Sequence, residues 1–264
     1  MSAALAEETI DAFHRGGFHL VQPKGRGHRA GMDAMLLASM VDAKGVVRVA
    51  DLGAGAGAAG LAVAARLEAA EVSLFEISTE MAGFAERSLA LAENARLAGR
   101  VRVFEADVTL KGAARNAAGL ADDSFDHVIM NPPFNATRDR RTPDALREVA
   151  HAMEDGLFEA WIRTAGAILK PGGQLSLIAR PQSLAEIIAA CGNRFGGLEI
   201  TPVHARAGEN AFRILTSAIK GSRARLELRA PLFMHGPDGH AFLPEVDDLN
   251  NGRAAYRRST KTLR

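Results

Sequence analysis

Val46-Val-Arg-Val-Ala-Asp51-Leu-Gly53-Ala-Gly55-Ala-Gly57-Ala-Ala-Gly60 is a β-branched run that ends on an acid and then breaks into alternating glycines. It reads as a strand over 46–51 entering a tight turn whose backbone can lie against a ligand, with an Ala- and Leu-rich helix over 58–70 behind it. Outward from this point, strand and helix patterns alternate. Residues 71–76 read as a second strand, 79–98 as a long helix capped by Ser78 or Thr79 and stopped at Gly99, and 101–105 as a third strand. A fourth strand over 125–130 stops at Asn131-Pro132-Pro133. A helix over 157–169 closes in Lys170-Pro-Gly-Gly173, followed by a strand over 174–179 and a helix over 183–191. Residues 201–204 and 212–220 read as a closing antiparallel pair, with 226–228 extending that edge. Alternation of this length predicts parallel βαβ units and therefore a doubly wound α/β sheet.

Composition sets the outer limits. The chain has 264 residues, 47% apolar and 24% charged, with a net charge of +1, which is globular and excludes disorder, collagen-like repeats and coiled coil. The single cysteine, Cys191, excludes an internal disulfide framework and a multi-cysteine zinc site, and is expected as a buried thiol. Eight histidines are scattered without metal-ligand spacing, so no metal is expected. The most apolar stretch, 53–65, is Gly- and Ala-rich and ends at Arg66, too short to span a bilayer. Glu7, Glu8 and Asp11 precede the first basic residue, the reverse of a signal peptide, and a cytoplasmic location is expected. Charge is uneven. Residues 13–31 hold Arg15, Lys24, Arg26 and Arg29 without an acid, and 250–264 hold Arg253, Arg257, Arg258, Lys261 and Arg264. This distribution points to an anionic partner, with a solvated tail as the alternative for the C-terminus.

Gly55-Ala-Gly57-Ala-Ala-Gly60 also satisfies the GxGxxG dinucleotide pattern, a weak signal in so Gly-rich a segment. Asp51 weighs against it, although an NAD-dependent oxidoreductase, and a noncatalytic RNA-binding module with a vestigial pocket, stay open as other classes. A carboxylate at the ligand end of the strand repels a pyrophosphate and suits a cationic or amino-bearing ligand. Glu76 closes the second strand, where an acid accepts ribose hydroxyls, and Asp107 follows the third, in reach of an adenine amino group. Three acids at successive strand ends describe a nucleoside pocket that fits S-adenosylmethionine better than NAD.

Asn131-Pro132-Pro133-Phe134 closes the fourth strand. Proline explains a rigid stop but not the flanking amide and aromatic. The Asn131 side-chain oxygen and the Pro132 carbonyl are expected to accept both N–H groups of a planar amino group, favouring a pyramidal nitrogen whose lone pair faces the methyl group. This is positioning and electrostatics without a metal or strong base. Phe134 is expected to stack on the substrate plane. Beyond it, Arg138, Arg140 and Arg141 suit phosphate contacts. Trp161 sits on an amphipathic pattern and is expected in the core.

Together, Asp51-Leu-Gly53-Ala-Gly55 and Asn131-Pro132-Pro133-Phe134 resemble the class I S-adenosylmethionine-dependent methyltransferases that modify exocyclic or amide nitrogens. Gln22-Pro-Lys-Gly-Arg26-Gly-His-Arg29-Ala-Gly31-Met-Asp33-Ala-Met-Leu36-Leu37 resembles the N-terminal segment of the tRNA adenine-N6 methyltransferases acting on a valine tRNA, where it closes over the cofactor. Those enzymes more usually carry Tyr at the position of Phe134. Ribosomal RNA guanine-N2 methyltransferases commonly carry Phe, and protein-glutamine methyltransferases share the Asn-Pro-Pro-aromatic corner, so both stay open.

The resemblance implies a Rossmann-like, seven-stranded, mainly parallel sheet with an antiparallel edge strand. It implies an extension over 1–45 packing on the cofactor site, a catalytic domain over 46–230 and a C-terminal extension over 231–264. The candidate cofactor set is Asp51, Gly53, Ala54, Gly55, Glu76, Ile77, Asp107, Val108 and Asn131. The candidate catalytic set is Asn131, Pro132 and Phe134. The implied partner is RNA, tRNA first and ribosomal RNA second.

Overall fold

The computed structural model describes residues 8–24, 30–133 and 156–259. A hairpin of β1 (Glu8–Phe13) and β2 (Phe18–Pro23) precedes α1 (Met32–Ser39), β3 (Val47–Leu52), α2 (Ala58–Arg66), β4 (Ala70–Glu76), α3 (Thr79–Ala90), β5 (Val101–Glu105) and α4 (Gly112–Ala117). Then come β6 (Phe125–Met130), α5 (Leu157–Ile168), β7 (Leu169–Ala179), α6 (Leu184–Cys191), β8 (Phe195–His204), β9 (Ala211–Lys220), β10 (Glu227–Leu228), β11 (Leu232–Phe233) and α7 (Pro244–Asn250).

Strands β3 to β11 form one sheet in the order β10-β8-β9-β7-β6-β3-β4-β5, with β11 also on β8. The doubly wound fold class is as expected, and the seven strands it implies are β3 to β9. Two details differ. Two-residue strands β10 and β11 bring the sheet to nine strands, both running parallel to β8. The antiparallel strand is β9, which lies between β7 and β8 rather than at the edge.

Side chains alternate across this sheet. Val49, Leu74, Ile129 and Ile178 face a core built with α1, α2 and α3, while Leu52, Phe75, Met130 and Leu177 face one built with α5 and α6. Covered on both faces, the parallel strands read as continuous apolar runs rather than a clean alternation. Phe75 is fully buried, stacked on Phe104 at 4.9 Å between centroids and edge-on to Phe125 at 6.0 Å. Such pairs add about 0.5–1.5 kcal/mol beyond their buried area.

Two helices stop earlier than their composition predicts. α2 ends at Arg66 because Ala70 already pairs with Val47 in the sheet, and the Arg100 guanidinium takes the carbonyls of Ala64, Leu67 and Ala70 at 3.0–3.1 Å. A cation on those last carbonyls also favours the helix dipole. α3 ends at Ala90, where Leu91 turns extended. Beyond it, Asn94 donates to Ser88 O at 2.7 Å and exchanges bonds with the β2 backbone, accepting from His19 N at 2.9 Å and donating to His19 O at 2.6 Å. Residues 170–173 lie inside β7, where the register shifts between Phe125 and His127. The hairpin sits on α3, with Val21 N donating to Ser88 Oγ at 2.8 Å.

Candidate active site

Register pairs place Phe104, Phe75, Leu52, Met130 and Leu177 in one row across the sheet. Gly53, Glu76 and Asn131 each stand one residue past that row. The order of strands reverses between β3 and β6, so the glycine loop and the Asn-Pro-Pro corner flank the topological switch point, where doubly wound sheets bind ligands.

The glycine loop is held from three sides. Gly53 N and Ala54 N donate to Phe75 O at 2.9 and 3.0 Å, and Gly55 N donates to Glu76 Oε2 at 2.8 Å. Gly53 has φ +69°, and a Cβ there would stand 2.2 Å from Trp161 Cη2, so neither the backbone nor the space admits a side chain. Gly60 lies close under Leu74, whose Cδ2 would be 2.2 Å from an added Cβ, which lets α2 settle onto β4.

The three acids divide their work. Asp51 is 2% exposed, and its Oδ2 accepts Gly60 N at 2.9 Å. It serves the first turn of α2 as an N-cap would, since Gly57 has no side chain to do so. Burial pushes its carboxyl up to about 7, with the Gly60 amide opposing and the nearby Glu76 carboxylate reinforcing the shift. Glu76 accepts Gly55 N on Oε2 and Ser78 N on Oε1, both at 2.8 Å. Each oxygen keeps a further lone pair for a ligand hydroxyl. Asp107 is half-buried, and its Oδ1 accepts both Thr109 N and Thr109 Oγ1 at 2.7 Å. Ile77, directly after Glu76, is an exposed apolar side chain. Val108 is buried, its carbonyl taken by Thr164 Oγ1 at 2.7 Å.

Asn131 stands where β6 ends. Its Oδ1 is buried and has no hydrogen-bond partner among the described residues. A buried amide oxygen left without a donor is costly, so among the described residues this is the acceptor with unmet hydrogen-bonding capacity at the switch point. Pro132 is buried next to it. Phe134, Arg138, Arg140 and Arg141 lie outside the described residues, as do Arg26 and Arg29.

Within this frame the family can be read. A family model described as methyltransferase small domain matches residues 29–214. The chain belongs to that family. The crystal structure of protein Atu636 from Agrobacterium tumefaciens, described as a predicted O-methyltransferase, is 62% identical, with a TM-score of 0.77, covering 86% of this chain and 100% of that one. A release factor glutamine methyltransferase of Deinococcus radiodurans is 35% identical over 152 residues, 54% of this chain, which spans about half (49%) of that relative's length. A tRNA1(Val) (adenine(37)-N6)-methyltransferase of Dyadobacter fermentans is 25% identical over 221 residues, covering 82% of this chain and 86% of the relative.

This methyltransferase uses S-adenosyl-L-methionine. The described residues fit that cofactor. Gly53, Gly55 and Gly57 all have positive φ, Glu76 has spare acceptor capacity, and Asn131 Oδ1 has no donor among the described residues. The dinucleotide pattern at 55–60 has no such counterpart, because Asp51 already occupies a first-turn amide of α2 where a pyrophosphate would need to bind.

Local sequence did not reveal the supports behind the site. Trp161 is buried as expected, but its packing on Gly53 has no local signature. Thr164 on Val108 and the Asp33–Arg213 ion pair at 2.7 Å were equally hidden. The basic C-terminal stretch also reads differently in three dimensions. Arg253 pairs with Asp247 and Asp248, Arg257 with Asp42, and Arg258 with Glu199, so these three arginines bind the chain's own acids rather than forming a cationic tail. Cys191 is buried, and burial pushes its thiol up to about 11, as an inert core cysteine. Among the described residues no helix is long and apolar enough to cross a membrane.

Proposed function

We propose that the protein transfers the methyl group of S-adenosylmethionine to an exocyclic amino nitrogen of a nucleobase in RNA, with adenine N6 of a tRNA as acceptor. The observation that carries this reading is the buried Oδ1 of Asn131 at the switch point, which has no partner among the described residues. The cofactor supplies a methyl group made electrophilic by its sulfonium. Asn131 Oδ1 and the Pro132 carbonyl would accept the two N–H groups of the planar amine, drawing its lone pair out of ring conjugation and toward the methyl. As the N–CH3 bond forms the S–CH3 bond breaks, S-adenosylhomocysteine leaves, and the surplus N–H proton passes to solvent. Such prepositioned acceptors lower a barrier without a base of matched pKa. A hydroxyl offers one O–H to two acceptors, so the pair suits an amine better than the oxygen acceptor named for the Agrobacterium protein. Relatives named as tRNA adenine-N6 methyltransferases support the RNA assignment.

In this reading Glu76 holds the ribose hydroxyls, Asp107 the adenine amino group, Ile77 and Val108 the adenine faces, and Asp51 the methionine amino group. Loop residues Gly53, Ala54 and Gly55 line the methionyl arm, and Phe134 stacks on the target base. The extension over 1–45 covers this site, the catalytic domain spans 46–230, and 231–264 is a C-terminal extension.

A glutamine side-chain amide presents the same planar NH2, and the Deinococcus relative favours that second reading. One assay separates them. The protein is incubated with methyl-labelled cofactor and, separately, total tRNA, ribosomal RNA and release factors, and the products are digested and identified. Label as N6-methyladenosine in tRNA is expected. N2-methylguanosine in ribosomal RNA or methylglutamine in protein would replace the acceptor, and label on oxygen would overturn the amine reading.

A further inference from the structure

Helix α5 makes three contacts that the methyl transfer itself does not use. The six-membered ring of Trp161 packs directly on the Gly53 backbone, with Cη2, Cζ3 and Cζ2 at 2.2, 2.8 and 3.3 Å from where a Cβ on Gly53 would stand. One turn further on, Thr164 Oγ1 donates to Val108 O at 2.7 Å. Between them, Arg163 Nη2 donates to Thr109 O at 3.4 Å. Residues at i and i+3 share a helix face, so a single turn of α5 holds both the loop after β3 and the turn after β5.

Those two strands are not neighbours, because β4 lies between them. Both loops are tied to β4, through backbone hydrogen bonds from Gly53 N and Ala54 N to Phe75 O and from Ala106 N to Glu76 O. α5 adds a second tie from the other face of the sheet. Thr164 is 1% exposed and its hydroxyl reaches outward to Val108, whereas a helical threonine commonly bonds back to its own preceding turn.

We propose that Trp161 and Thr164 are a positioning pair that sets the separation of the two cofactor loops, and with it the affinity for the methyl donor. This rests on the reading that residues 53–55 and 107–108 hold S-adenosylmethionine. Trp161 is the sole tryptophan of the chain, so its emission reports directly on the Gly53 contact.

The test compares the full-length protein with Thr164→Val, Thr164→Ser and Trp161→Phe by calorimetric titration with S-adenosylmethionine, steady-state kinetics, urea unfolding and tryptophan emission. Loss of one buried hydrogen bond predicts that Thr164→Val raises Kd and KM for the cofactor about fivefold to tenfold while kcat stays within about twofold. Thr164→Ser restores both. In Trp161→Phe the smaller ring leaves Gly53 loosely supported, and cofactor KM rises in the same direction. Wild-type emission changes on titration with the same midpoint as the heat. Unchanged cofactor affinity in Thr164→Val and Trp161→Phe, whatever their stability, would overturn the positioning pair while leaving the cofactor site intact. No heat with the wild type would overturn the cofactor site and the pair together.

Discussion

The Gly55 amide donates to the Glu76 carboxylate at 2.8 Å, so the acid that closes β4 also shapes the glycine loop after β3. The other Glu76 oxygen accepts Ser78 N at 2.8 Å and starts the turn into α3. One carboxylate therefore organises two loops and still offers a lone pair on each oxygen. Glu76→Gln replaces one acceptor by a donor that faces an amide. Cofactor Kd is expected to rise about tenfold or more, with a stability loss of about 1–3 kcal/mol from the strained bond. Calorimetric titration and urea unfolding of the same preparation check both, and wild-type affinity would remove Glu76 from the site.

Asn131→Ala removes the orphaned acceptor without touching the glycine loop. A drop in kcat of about a hundredfold or more is expected, the scale seen when one prepositioned polar group is lost. Cofactor affinity should stay within about threefold, because in the proposed site the methyl donor is held mainly by the loops after β3, β4 and β5. Equal loss of turnover and cofactor binding would sink the role given to Asn131.

Asp51 titrates near neutrality because it is buried. Its ionised form attracts a cationic amino group and its protonated form does not. Cofactor binding should therefore tighten as pH rises from 6 to 8 through its value of about 7. Asp51→Asn keeps an oxygen for Gly60 N and should bind weakly with little dependence on pH over that range. A variant that retains the full wild-type pH profile would place the titration elsewhere.

His127 is buried in β6 with Nε2 at 2.9 Å from Ser176 Oγ, and burial pushes it down to about 3 from 6.5. Above pH 6.5 it is neutral in both the folded and unfolded chain. Below that, the unfolded chain takes up a proton that the folded one refuses, so this histidine lowers stability progressively as pH falls from 6.5 toward 3. The buried Asp51 acts in the opposite sense, which makes the wild-type slope a poor readout alone. The difference between wild type and His127→Gln isolates one proton, about 1.4 kcal/mol per pH unit between pH 6 and 4. Urea midpoints across that range measure it, and parallel curves would contradict the assignment.

Glu199 is buried between Arg229 and Arg258, and its oxygens also accept Ser259 N at 3.0–3.1 Å. Tyr256 continues this strap, donating its backbone N–H to Ser39 O at 2.8 Å while its hydroxyl meets Thr201 Oγ1 at 2.8 Å. Glu199→Ala leaves two guanidinium groups without their acid and should cost on the order of 2–4 kcal/mol. Since β9, β7 and β6 separate Glu199 from the glycine loop, kcat at a permissive temperature should stay within about twofold. A fall in kcat without loss of stability would give the strap a role in turnover.

The amino-acid sequence by itself determined the alternation of strands and helices, the glycine loop, the acids at three strand ends and the Asn-Pro-Pro stop. Each is written in a short window, by apolar periodicity or by the restricted backbone of glycine and proline. Tertiary structure decided what those windows cannot contain. α3 stops at Ala90 where its composition permits more helix, because Asn94 is claimed by the β2 backbone. Asp51 turns to Gly60 because that first-turn amide lies beneath it once α2 packs on the sheet. Arg253, Arg257 and Arg258 spend their charge on acids distant along the chain or folded back beside them, which no local reading of a basic tail could show. Above all, Trp161 reaches Gly53 only because α5 crosses the face of the sheet beneath the switch point, and a contact between residues so far apart in sequence exists only after the chain has folded.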